Sequence, residues 1–152
     1  MKRSHWITYA IFLMISVGGG LLIGANNIPG PWYQSLAKPS FTPPNWLFAP
    51  AWTILYILIG IVGARVFRAP QNKDLFGIWL AQMVMNFAWS PLFFSWQNLE
   101  AAFAIILILL LLIINFIMSA RQRDGLSALF FVPYALWVAF ASCLNGAIAF
   151  MN

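Results

Sequence analysis

Five apolar stretches, none interrupted by a charged residue, divide this chain and limit what it can fold into. They run over about residues 6–25, 47–64, 75–94, 101–120 and 126–151, each near the ~20 residues that an α-helix needs to cross a hydrocarbon core. Strands of a membrane barrel alternate apolar and polar residues over ~10 positions, whereas these runs are continuous. The expected architecture is therefore all-α: an integral membrane bundle of five transmembrane helices, with spans of about 6–25, 47–67, 75–96, 100–120 and 126–151 in a single domain covering 1–152. A composition of 62% hydrophobic and 7% charged residues agrees, since soluble chains carry about a quarter charged residues.

The charges that remain lie between the runs. With the N-terminus on one side, Lys2, Arg3, Arg65, Arg68, Lys73, Arg121 and Arg123 share that side and Lys38 stands alone on the other. Cationic loops stay cytoplasmic, so a cytoplasmic N-terminus is expected, in an inner membrane. The opening Met1 to His5 is like the start of a signal peptide, but the apolar run that follows exceeds the usual ~7–15 residues, and a retained span is expected. The net charge of +5 is dispersed over membrane-edge positions and forms no basic stripe, so nucleic acid is not an expected partner.

Several chemistries lack their residues. Cys143 is the single cysteine and His5 the single histidine, so no disulfide, metal site or histidine-ligated haem is expected. No Asp or Glu falls within a span and Arg65 lies at the end of one; ion-coupled pumps depend on intramembrane ionisable groups. The polarity inside the spans is neutral. Gln82, Asn86 and Ser90, spaced by four, share a face of the third span, with Asn115 in the fourth and Ser142 and Asn145 in the fifth. Trp52, Trp89 and Trp137 accompany them, while Trp6, Trp79 and Trp96 suit the membrane interface. Indole walls with a few amides suit a large, flat, mostly apolar ligand.

The first connection, about 26–46, contains Pro29, Pro31, Pro39, Pro43 and Pro44 together with Trp32, Tyr33, Leu36, Phe41 and Trp46. Prolines oppose long helices and strand pairing, and disordered segments are poor in aromatics. A long structured loop folded back as a lid is expected. Small residues four apart, Gly20 and Gly24, Gly60 and Ala64, Gly77 and Ala81, allow helices to approach closely, within the bundle or between copies.

Three motifs carry a resemblance: WYxxLxKPxFxPPxWxFxPxW over 32–52, NFAWSPLFF over 86–94 and PYxxWxxFAxxLN over 133–145. Together with the hydropathy pattern they resemble the TspO/MBR family over essentially the whole chain. The resemblance implies a five-helix bundle, usually dimeric, that binds protoporphyrin IX and isoquinoline carboxamide or benzodiazepine drugs. By motif, Trp52 with Ala49, Asn86 with Trp89 and Gln82, and Trp137 with Ala141 and Asn145 become cavity residues, while Trp32 and Trp46 stand at its mouth; Gly77 and Ala81 fit a dimer contact. The implied function is that of a tetrapyrrole-binding sensory protein, with Lys38 available to pair a porphyrin propionate. The alternatives are light- and oxygen-dependent porphyrin degradation involving Trp52 and Trp137, or porphyrin or lipid transport. Porphyrin would be ligand or substrate, and no cofactor is expected. Some bacterial relatives occupy the outer membrane. Animal members follow the Leu-Asn of the last span with a tyrosine and an arginine; here Leu144 and Asn145 are followed by GAIAFMN, so cholesterol binding is not expected.

Overall fold

The computed structural model describes residues 2–152, with side chains from His5 onward. The Lys2 and Arg3 side chains used above to assign sidedness thus lie outside the described residues. Among the described residues all regular structure is helical. Helix α1 (Lys2–Leu13) passes through a π turn (Met14–Gly18) into α2 (Gly19–Asn26). A short α3 (Pro31–Ser35) and a 3-10 turn (Asn45–Leu47) precede α4 (Phe48–Phe67). Helix α5 (Lys73–Ser90) continues as a second π turn (Pro91–Ser95), and α6 (Leu99–Ala120) and α7 (Gly125–Met151) complete the chain.

Four stretches are long and apolar enough to cross a membrane: His5–Asn26, Asn45–Phe67, Leu99–Ala120 and Gly125–Met151. Helix α5 is not among them, because it carries Lys73, Asp74, Gln82 and Asn86 within 18 residues. The first connection is more regular than its prolines suggest. Pro31 opens α3 at its first position, where the missing N–H has no partner to lose, and Pro44 sits in extended backbone just before the 3-10 turn.

Helix α6 packs between α5 and α7, while α1 lies along α4. Where α1 and α4 meet, glycine permits the approach. A Cβ on Gly60 would lie 2.4 Å from the Ser16 hydroxyl, and one on Gly63 2.5 Å from the Trp79 ring. Ser16 uses the proximity to donate to the Tyr56 carbonyl at 2.8 Å. Trp79 departs from its expected interfacial place: it is 1% exposed and donates from Nε1 to the Ile59 carbonyl at 2.9 Å. Its indole stacks on Phe76 and meets Phe12 edge-on, so hydrogen bonding and ring packing retain it inside. Asn115 also departs from expectation, being exposed on α6 and accepting from Ser119 one turn later; it does not join the inward polar face.

Arg65, Arg68, Lys73, Asp74, Arg121, Arg123 and Asp124 gather at one end, leaving Lys38 and Glu100 at the other. Arg65 pairs with Asp124 at 2.6 Å and donates to Ser127 at 3.0 Å, and Arg123 grips both oxygens of Asp74 at 3.0 and 2.6 Å. Asp124 also caps α7, accepting from the Ser127 amide at 3.2 Å and hydroxyl at 2.6 Å, which satisfies donors that a helix start leaves open. Burial pushes the Asp124 carboxyl up, but the bonds from Arg65 and Ser127 outweigh it and hold the group below the usual carboxylate range.

Two predictions follow from this packing. Gly63→Val should lower thermal stability by about 1–3 kcal/mol through overpacking against Trp79, whereas Gly125→Val, with open space around its Cβ position, should change it by less than about 0.5 kcal/mol; parallel thermal melts compare them. Because the folded Asp124 pKa is depressed, its contribution is complete above the unfolded carboxylate value and lost as pH falls through the lower folded value. Melts across that acid window should show Asp124→Asn less stable than the parent at neutral pH and the difference shrinking with acidification.

Candidate functional site

Beneath the first connection, between α2, α4, α5 and α7, lies a cavity of about 700 Å³. No charged side chain and no histidine lines it among the described residues. Trp46, Ala49, Trp52, Asn86, Trp89, Trp137, Ala141 and Asn145 all contribute to its wall, so eight positions from three separate motifs converge on one space. Helical period explains the convergence within each element: Asn86 and Trp89 are three apart on α5, Trp137, Ala141 and Asn145 are four apart on α7, and each set shares a face.

The amides mostly serve the protein itself. Asn86 Oδ1 accepts from the Tyr56 hydroxyl at 2.7 Å, while its Nδ2 donates to the Tyr134 hydroxyl at 2.6 Å. Tyr134 in turn donates to Gln82 Oε1 at 2.8 Å. This chain ties α4, α5 and α7 together under the cavity. Gln82 is fully buried within it and does not reach the cavity wall, although its Nε2 remains without a partner. Asn145 is similarly engaged, accepting from Trp89 Nε1 at 2.9 Å and donating to the Leu99 carbonyl at 3.1 Å. Ser142 bonds the Val138 carbonyl of its own helix.

The indoles differ from one another. Trp52 stacks on Tyr56 with ring centres 5.4 Å apart and meets Tyr134 edge-on at 6.4 Å, so its orientation rests on the tyrosines of the polar chain. Trp137 packs against Phe48 and Phe140, yet its Nε1 is buried with no partner. Leaving such a donor unpaired costs about 1–3 kcal/mol.

The first connection closes over this space through aromatic contacts. Tyr33 is 5% exposed and meets Phe93 and Phe94 edge-on at 6.0 and 5.5 Å; burial pushes its hydroxyl pKa up. Trp32 packs on the other side of Phe93 at 6.1 Å and does not line the cavity, while Trp46, 71% exposed, stands at the mouth. Phe41 touches Phe140 of α7. Lys38 is turned onto the connection itself: its Nζ donates to the carbonyls of Gln34 and Leu36 at 3.2 and 3.1 Å and lies 4.7 Å above the Tyr33 ring. It does not line the cavity, because the local carbonyls and the ring face already satisfy its charge.

Two further contacts pin the ends. The Asn152 side chain pairs with the Ala37 peptide unit, accepting from its N–H and donating to its carbonyl, both at 2.9 Å. Ser95 bonds Asn27, joining the second π turn to the end of α2. Sequence reasoning passed over Tyr56, Tyr134 and Asn152, whereas Tyr33 was among the aromatics expected to fold the first connection back. Tyr56 stands one turn after Trp52 and Tyr134 three residues before Trp137, so helical spacing marks both. Nothing local marks Asn152, whose partner is 115 residues away.

Removing the Asn152 pairing should loosen the lid. At about 0.5–1.5 kcal/mol per hydrogen bond, Asn152→Ala should speed exchange of the Ala37 amide roughly tenfold while leaving the α6 amides unchanged, as read by hydrogen exchange.

Comparison with known proteins accords with this geometry. The sequence profile of the TspO/MBR family matches residues 6–151. The chain is 39% identical to the tryptophan-rich protein TspO of Archaeoglobus fulgidus, covering 94% of each chain. It is 31% identical to the tryptophan-rich sensory protein of Cereibacter sphaeroides, over 92% of this chain and 88% of the relative. To the translocator protein of Ovis aries it is 32% identical, over 92% and 87% respectively. With family motifs along its length and relatives matched nearly end to end, this membrane protein belongs to the TspO/MBR family.

Proposed function

We propose that this protein is a membrane sensor that binds protoporphyrin IX or a similar flat tetrapyrrole in the cavity beneath its first connection. The observation that carries the reading is a neutral, indole-walled space of about 700 Å³ with Trp46, Trp52, Trp89 and Trp137 on its wall. Its size falls in the range of small-molecule sites, about 300–1,000 Å³, and aromatic walls with sparse polar groups orient flat ligands. Trp52, held on Tyr56, offers a ring face for stacking, and Trp137 adds a second indole to the wall. Isoquinoline carboxamides and benzodiazepines satisfy the same requirements with a planar body and a carbonyl. The name of the Cereibacter sphaeroides relative, a tryptophan-rich sensory protein, agrees with a sensory role.

The uncharged wall bears on how a porphyrin would lie. With no cation on the lining, two propionates gain nothing inside and cost desolvation, so they belong at the mouth near Trp46, in water. In this pose Lys38 contributes little.

Five helices cross the bilayer in this reading, α5 with its π turn being the fifth. Its polar residues Gln82 and Asn86 are buried against α4 and α7 rather than presented to lipid, which is how a span tolerates them. The arginine-rich end faces the cytoplasm of a bacterial inner membrane. The exposed Gly77 and its neighbour one turn on, Ala81, offer a close contact between two copies, making a homodimer.

Photo-oxidative turnover of the porphyrin is the second reading, favoured by Trp52 and Trp137 both standing on the cavity wall. Purified protein titrated with protoporphyrin in the dark should lose tryptophan emission saturably. Trp137→Phe should weaken binding about tenfold, equivalent to 1.4 kcal/mol, Lys38→Ala should stay within about twofold, and the dimethyl ester should bind at least as tightly as the diacid. Unchanged emission on titration defeats the binding reading. Loss of the porphyrin absorption band only when light, oxygen and protein are all present, and its slowing in Trp52→Phe and Trp137→Phe, would establish turnover.

A further inference from the structure

At the opposite end of the bundle from the lid, a second concavity of about 320 Å³ opens among Tyr9, Arg65, Arg68, Asn72, Arg123 and Asp124. Three arginines and one carboxylate line it. The carboxylate is already used: Asp124 takes Arg65 and caps α7. Arg123 is used too, through Asp74 and the Ser119 carbonyl. Arg68 is different. Its guanidinium forms no ion pair or side-chain hydrogen bond with any described residue, although it stands on the pocket wall three positions after Arg65, at the C-terminal cap of α4.

Tyr9 supplies a second donor. Its hydroxyl belongs to the lining of the same hollow as Arg65 and Arg68, and a phenolic O–H can donate to an anion. The pocket thus holds one unpaired guanidinium and a hydroxyl donor around an electropositive hollow. Exposed Phe67 and Trp6 lie on the same two helices and would border the apolar phase next to it.

We infer that this hollow is a phosphate-binding site, engaging a phosphate group through the Arg68 guanidinium and the Tyr9 hydroxyl beside the Arg65–Asp124 pair. Planar guanidinium forks match phosphate oxygens in geometry and charge, and basic pockets at the cytoplasmic edge of helix bundles suit anionic headgroups. The phosphate is that of an anionic phospholipid or of a free phosphate anion, and the same chemistry recognises either. The site is independent of the aromatic cavity and stands or falls apart from the tetrapyrrole reading.

The test uses the full chain, purified in a neutral detergent, with thermal unfolding followed at fixed ionic strength while dioctanoyl phosphatidylglycerol or inorganic phosphate is titrated in, sodium chloride serving as the blank. Saturable stabilisation of a few degrees is expected from at least one phosphate probe. Stabilisation by the lipid alone assigns a headgroup, and equal stabilisation by both assigns the free anion. Arg68→Gln and Tyr9→Phe should each weaken the apparent affinity about tenfold, while Arg121→Gln, an exposed cation outside the pocket, should leave it within twofold. Protoporphyrin quenching by the Arg68→Gln protein should match the parent, which separates loss of this site from loss of the fold or of the aromatic cavity. No stabilisation by either probe, or equal weakening by Arg68→Gln and Arg121→Gln, overturns the proposal.

Discussion

A single side-chain amide, that of Asn86, connects three helices, and the cavity rests on it. Its oxygen holds Tyr56 of α4 and its nitrogen holds Tyr134 of α7. In an apolar surrounding none of these groups has water to fall back on, so an unmade bond carries the full desolvation penalty. Interhelical hydrogen bonds in membranes average only about 0.6 kcal/mol. Their main effect here is geometric. Tyr56 supports the Trp52 ring and Tyr134 meets its edge, so the amide sets the orientation of an indole it does not touch.

The two ends of the bundle are closed by different chemistry. At one, carboxylates and guanidiniums join α4 to the start of α7 and α5 to the segment before it. At the other, closure comes from ring contacts of Tyr33 and Phe41 and from the Asn152 amide on the Ala37 peptide. Surface ion pairs weaken with salt, whereas aromatic contacts do so little. Salt therefore acts mainly on the charged end and little on the contacts that close the other.

Much of this was legible in the sequence, and the reasons are physical. Positions four apart on a helix must share a face, so Trp137, Ala141 and Asn145 could be grouped before their surroundings were known. The same rule placed Gln82 with Asn86 but not its depth, since facing inward does not distinguish a wall from the layer behind it. Trp79 was misplaced because interfacial preference is an average, overridden when an indole N–H finds a buried carbonyl and its ring finds two phenylalanines. Asn115 was grouped inward on residue type, although its position on α6 faces out. Lys38 carries a charge, and a charge suggests a ligand. Three local acceptors, two carbonyls and a ring face, were close enough to take it first.

The π turn at Pro91–Ser95 has a consequence of its own. Pro91 has no N–H to give to a regular ladder, and the wider turn lets consecutive residues Phe93 and Phe94 both face the cavity. An α-helix would set them about 100° apart. Shortening this turn by one residue would leave every side chain in place chemically while rotating all that follows, including the Asn98 cap of α6. A substitution in the wall is thus a local change, whereas a change in its length is felt by every element that follows.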